Sequence, residues 1–432
     1  MHYKDWVRGE LEELSKSLGF RYTPREELED RLTRLRKGME REGMEAFLVV
    51  QKMDYYYLSG TTQDGLLFVP LEGKPLLMVR REVERARVES PLEEVTGFKS
   101  TRELPSLIRD HWGRNSEPQT LGLELDVLPV RDYFRYQDLF PGARFMDASP
   151  VIRDIRKIKS PFEIELMRVA GDIGKKVYQE ARESLKEGMT EIEFGGLLEA
   201  AAKGYGHEGL LRVRSLNYEA YTWHVLSGPS GGIVSQSDSP MGGLGLSPAF
   251  PVGASLRVMR AHEPILVDFG TCYHGYQTDE TRMFSIGQMG KKFIGAYNAC
   301  REIHDAVLEE TRPGADCEAI FQKTLRLAEQ LGYSPSTGRR GEPVEPSGHG
   351  GSYLGPPGLQ TCFIAHGIGL ELNEFPFLAQ GQSYPLEEGM TFAVEPKIVF
   401  PGEGSVGLEN TVVVTQDGYE ILTPLEQEIF QV

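Results

Sequence analysis

Apolar residues near the start of the chain recur at three- and four-residue intervals. In PREELEDRLTRLRKGMERE, Leu28, Leu32 and Leu35 fall among charges and predict an amphipathic helix over 24–42. The pattern then changes to short apolar runs, AFLVVQ at 46–51, LLFVP at 66–70 and PLLMVR at 75–80, separated by Gly and polar turns. Helical stretches near 81–90 and 101–112 lie between further strands. This is the pattern of an α/β domain ending near residue 155. Its titratable residues form no metal-like or nucleophile-like cluster, so it reads as a packing or oligomerisation domain, able to wall a pocket.

Past that boundary, Ser160, Pro161 and Glu163 form an S-P-x-E helix start, with a capping box and proline at the first helical position. A long helix should run to about Glu187. Thr190 and Glu193 repeat the box and open a second helix reaching about Gly204. The stretch 227–253 is rich in Gly, Ser and Pro and predicts a long loop, of the kind that lines a substrate. Residues 291–311 and 316–331 read as helices, the second capped by Asp316. Three sheet-like runs follow, at 362–376, 389–400 and 405–415.

The segment EPILVDFGTCYHGYQTDETRMFSIG, from Glu263 to Gly287, predicts a β-hairpin turning at His274-Gly275. With that turn, Asp268 sits opposite Thr281 and Asp279 is its diagonal neighbour, roughly 5.5–8 Å away on the same face. Two carboxylates facing each other in an apolar sheet repel and lose hydration, so something must compensate them. A divalent metal does so; the structural alternative is that both acids cap turns or pair with Arg282 at a sheet edge. Each later sheet-like run also carries one donor in an apolar context: His366, Glu395 and Glu409. Four carboxylates and one imidazole suit a pair of Mn²⁺, Co²⁺, Zn²⁺ or Fe²⁺ ions.

Composition narrows the partners. The chain has 432 residues, a length of roughly two or three domains, and its 40% hydrophobic and 26% charged content is that of a soluble globular protein. A net charge of −17 argues against nucleic acid or an anionic membrane as the principal partner. The N-terminal sequence lacks the apolar core of a signal peptide, and no run has transmembrane length; together these predict a cytoplasmic protein. The four cysteines, Cys272, Cys300, Cys317 and Cys362, lie far apart and read as buried reduced thiols.

The pieces IRKIKSPFEIELMR, ILVDFG with Asp279 beyond it, AHGIGLELNEFP, EEGMTFAVEP and VGLENTVVVT resemble the pita-bread metallopeptidase family, peptidase family M24, which includes aminopeptidase P, prolidase and the non-peptidase creatinase. The N-terminal helix, LVV strand and YYYLSG stretch resemble the creatinase-type N-terminal domain. The resemblance implies a creatinase-like α/β domain over 1–155 and an α+β pita-bread catalytic domain over 156–432. It makes Asp268, Asp279, His366, Glu395 and Glu409 the ligands of two divalent ions. It further implies a homodimer that hydrolyses an amide bond in short peptides of the Xaa-Pro type, with Glu395 or Glu409 accepting the proton.

Three positions depart from the family. Asn373 stands where its peptidases have a second His, residues Phe250 to Gly253 where they have another, and Gly407 where they commonly have an Arg. Asn373 can donate a hydrogen bond to an oxyanion but cannot transfer a proton at neutral pH. His224 and His349 are candidate replacements, and Glu374 is a candidate orienting group; His274 reads as a turn residue and His304 as a helix residue. The losses leave room for two other readings, a non-peptidase enzyme acting on a small metabolite and an inactive metal-binding homologue.

Overall fold

The stripe of Leu28, Leu32 and Leu35 is buried on one face of a helix spanning Arg25–Glu42 in the computed structural model, which describes residues 2–113, 117–216, 223–236, 239–333 and 349–432. The chain divides into two compact units, one of the residues up to Arg156 and one from Lys157 onward; Ser215 and Leu216 group with the first. In the first unit, Ala46–Val49 pairs antiparallel with Gly65–Pro70 and parallel with Thr120–Leu123 inside a six-stranded sheet. Ala46, Leu48, Phe68 and Leu121 pack its core beneath the helix Leu104–Trp112. Arg156 pairs with fully buried Asp54 at 2.5 Å, which compensates both charges away from water.

The second unit begins with the helix Pro161–Ser184. Ser160 and Glu163 exchange side-chain and backbone hydrogen bonds at its start, satisfying donors the helix leaves open. It stops short of Glu187 because Leu185 turns into extended backbone to bury its side chain. A second capping box, Thr190 and Glu193, starts Glu191–Gly204. Both helices pack on the sheet of the hairpin, Ile265–Tyr273 with Tyr276–Ser285, through Val177, Phe194, Leu198, Val267 and Phe284. The helices Lys291–Glu310 and Cys317–Gln330 cover a second core; Asp316 caps the latter through Ala319 N–H.

Each of the three closing sheet-like runs holds two strands rather than one. Thr391–Val394 belongs to a five-stranded sheet and Lys397–Phe400 to a three-stranded one; Gly404–Gly407 and Asn410–Thr415 divide in the same way. The chain changes sheet at Glu395-Pro396 and again at Leu408-Glu409. Pro396 has no N–H to continue a ladder, so the first change falls there. Phe363–Gly367 and Glu374–Ala379 are separated by a turn.

Cys272, Cys300 and Cys317 are buried free thiols. Cys362 is exposed rather than buried, because it lies just outside the Phe363 strand. Among the described residues, no helix is long and apolar enough to cross a membrane.

Candidate active site

The hairpin turns at His274-Gly275, where both residues adopt positive φ as a tight two-residue turn requires. Tyr273 pairs with Tyr276, Asp268 stands opposite Thr281, and Asp279 stands opposite Gly270. Strand alternation therefore puts Asp268, Asp279 and Thr281 on one face and Glu280 and Arg282 on the other. Arg282 ion-pairs with Glu280 at 2.9 Å, so it does not neutralise the two aspartates. It lies fully buried and donates to the carbonyls of Thr281, Glu409, Leu425 and Glu426 and to Asn410 Oδ1.

The other donors reach the aspartate face from the strand breaks. Glu409 and Thr281 are joined by backbone hydrogen bonds in both directions, and Thr281 Oγ1 donates to Glu409 Oε2 at 2.7 Å. Thr411 Oγ1 accepts from Asp279 N–H and donates to Asp279 C=O. His366 lies next to Ala393 and Phe377 in the five-stranded sheet, and Glu395 follows Val394 at the sheet change. These bonds fix Glu409 and Asp279 to neighbouring strands.

The carboxylates face two ways. Lys397 Nζ lies 2.7 Å from Glu395 Oε2, 2.9 Å from Glu409 Oε2 and 3.3 Å from Asp268 Oδ2. His366 Nε2 lies 3.6 Å from Glu395 Oε1, 3.9 Å from Glu409 Oε1 and 3.9 Å from Asp279 Oδ2. Asp279, His366 and Glu409 each offer one ligand atom, all within 4.8 Å of one another. A buried set of carboxylates and one imidazole, gathered at that spacing, fits a divalent first-row ion.

Burial and mutual repulsion both act against negative charge on these carboxylates. Burial, with Glu409 and Asp268 adding to it, holds the Asp279 carboxyl well above the usual carboxylate range. Burial also pushes Glu395 up to about 7, against the lowering pull of Lys397. For Lys397 burial works to lower the pKa, but Asp268, Glu395 and Glu409 raise it well above that of an ordinary lysine. It is a fixed ammonium.

Of the remaining candidates, His224 is beside the cluster, with Nδ1 4.0 Å from Asp268 Oδ2, on the strand that pairs with the first arm of the hairpin. Burial, with the Lys397 charge, pushes it down to about 3, so the ring is neutral. Asn373 is exposed in the turn before Glu374–Ala379. Glu374 is buried and pairs with Lys159 at 3.1 Å, while accepting from Glu371 N–H; it braces this turn. His349 is exposed against the Tyr333 ring, and His304 is buried beside Asn410. The Gly-rich loop packs by Gly231 against Ser405 and buries Met241 in the core; its positions 237 and 238 lie outside the described residues.

Lys397 is the residue that pattern reading passes over. The signal is present in VEPKIVF: a lone lysine in an apolar strand, two residues after Glu395, belongs on the same side of the chain.

Comparison with known proteins agrees with this architecture. The profile of Metallopeptidase family M24 matches residues 165–416, and that of the Creatinase/Prolidase N-terminal domain matches residues 31–158. The chain is 26% identical to an Xaa-Pro dipeptidase of Pyrococcus furiosus over 404 residues, covering 93% of this chain and all of that one. An Xaa-Pro dipeptidase of Lactobacillus helveticus is 26% identical over 352 residues, 80% of this chain and 82% of the relative. Among solved structures, the prolidase of Pyrococcus horikoshii OT3 superposes with a TM-score of 0.74 at 25% identity, over 93% of this chain and 99% of that one. The Xaa-Pro dipeptidase of Bacillus anthracis superposes at 0.76 and 23% identity, over 94% of this chain and all of that one. A creatinase-type α/β unit followed by a pita-bread α+β unit is thus the fold, and the chain belongs to metallopeptidase family M24.

Proposed function

We propose that this chain is a metal-dependent hydrolase of Xaa-Pro peptide bonds in short peptides, with Asp268, Asp279, His366, Glu395 and Glu409 as its metal-binding side chains. The observation that carries the reading is the convergence of these five side chains, from four separate stretches of sequence, on one buried face. The Xaa-Pro dipeptidases of similar sequence support the substrate class. Mn²⁺, Co²⁺, Zn²⁺ and Fe²⁺ all suit the donor set. The cytoplasmic homodimer expected from the sequence is part of the same proposal, its assembly readable by sedimentation.

A divalent ion bound there supplies Lewis-acid polarisation of the scissile carbonyl and acidifies water. Glu395 is the better proton acceptor. Its Oε2 is held by Lys397, whereas its Oε1 faces His366 beyond hydrogen-bond distance and is open to a proton. Glu409 is less suited, because Thr281 and Lys397 both donate to its Oε2. His224, neutral at physiological pH, contributes hydrogen bonding rather than charge. Asn373, exposed at its turn, supplies an amide donor to a developing oxyanion.

The test is a substrate panel. Protein reconstituted with Mn²⁺ or Co²⁺ is assayed on Xaa-Pro dipeptides, longer Xaa-Pro peptides and small non-peptide amides. The expected result is cleavage of Xaa-Pro bonds that is lost in His366→Ala. Turnover confined to the non-peptide amides would overturn the peptide reading.

A further inference from the structure

The split orientation of the carboxylates defines two neighbouring cation positions. Glu395 and Glu409 each turn Oε2 toward Lys397 and Oε1 toward His366, so both bridge the two positions. Asp268 completes the first position and Asp279 the second. An ammonium has three donors, and Nζ has three carboxylate oxygens within 3.3 Å, so its hydrogen-bonding capacity is satisfied. We propose that Lys397 Nζ permanently fills the first of these positions, leaving the second, at Asp279, His366, Glu395 and Glu409, for a single divalent ion. This rests on the reading of the cluster as a metal centre and narrows its ligand set, in that Asp268 binds the ammonium rather than an ion.

Two observations support a fixed occupant. The lysine side chain is 1% exposed, so an ion entering the first position would have to drive a buried ammonium away from its three acceptors. An uncompensated buried charge is strongly unfavourable. The stem also has a made space: Lys397 pairs directly with Gly407 across the sheet, and a Cβ at Gly407 would lie 2.5 Å from Lys397 Cγ. The glycine that departs from the family leaves room for the lysine stem. The fixed charge then supplies the compensation for Asp268 that a second ion would otherwise provide.

The experiment counts ions rather than turnover. Wild-type protein, Lys397→Ala and Lys397→Met are stripped with chelator, loaded with Mn²⁺, and measured by elemental analysis and electron paramagnetic resonance, with circular dichroism confirming the fold. Wild type should hold one ion per chain with the signal of an isolated Mn²⁺, and Lys397→Ala should rise to two with a spin-coupled signal. Lys397→Met, which fills the space without the charge, reports on the charge alone and should bind its first ion with an affinity altered from wild type. Two ions in wild type would overturn the assignment of Lys397 while leaving the metal centre standing. No ion in wild type or in either folded variant would overturn the metal centre itself.

Discussion

Lys397 and Gly407 are direct partners across two antiparallel strands, and the lysine stem occupies the volume that a side chain at 407 would need. Gly407→Ala should therefore destabilise the protein by about 1–3 kcal/mol, the usual range for overpacking. On a Lys397→Ala background the same glycine substitution should cost much less, because the two side chains share one space. Urea unfolding of both single variants and the double variant measures the coupling; additive losses would show that the two side chains do not compete.

Removing metal should expose the repulsion among the clustered carboxylates. An ion bound only to the folded state contributes about 2.7 kcal/mol at a hundredfold excess over its dissociation constant, so Mn²⁺ should raise the melting temperature and chelator lower it. In Asp279→Ala the increment should shrink or vanish. A melting curve that ignores both chelator and Mn²⁺, with metal content verified, contradicts this.

Acid should weaken the fold through buried histidines away from the cluster. His304 Nε2 faces Asn410 Nδ2 at 3.1 Å, and Asn410 Oδ1 already accepts from Arg282 and Thr423, so the amide nitrogen is the donor and Nε2 the acceptor. Burial holds the His304 pKa below its ordinary value of about 6.5. The unfolded chain takes up that proton as pH falls through the ordinary value and the folded chain does not, so stability drops on the acid side, by at most about 1.4 kcal/mol per pH unit for one such group. His207 behaves alike, its Nδ1 accepting from Cys272 N–H and its pKa lowered by burial. Melting temperatures between pH 7.5 and 5 should fall less steeply in His304→Gln than in wild type.

Asn373 can support an oxyanion but not carry a proton, so native Xaa-Pro cleavage should be weak. Asn373→His should raise kcat by up to about 10²-fold, the span of acid–base assistance, without changing the ion count. The exposed position makes the substitution structurally mild. Unchanged kcat, with saturating substrate, would remove Asn373 from the substrate's surroundings.

The hairpin was legible because strand parity and a His-Gly turn fix its register, which puts Asp268 opposite Thr281. Glu395 and Glu409 were legible as acids in apolar runs. What pattern could not show is that both sit where the chain passes from one sheet to another, since an apolar run reads the same whether its two halves share a sheet or not. Lys397 is harder to read for a related reason: its spacing puts it on the side of Glu395, but a single lysine in a strand usually marks an edge, and the fold is what brings the other carboxylates to it. Gly407 looked like a loss until its partner was visible.

Arg282 ties the floor of the site to the backbone at Leu425 and Glu426. Its guanidinium holds Glu409 C=O on one side and the carbonyls of Leu425 and Glu426 on the other. Trimming the chain after Thr423 would take away two acceptors from a fully buried cation, and the strain would be felt at Glu409 rather than at the cut. Through Arg282, the backbone at Leu425 and Glu426 thus acts as a latch on Glu409.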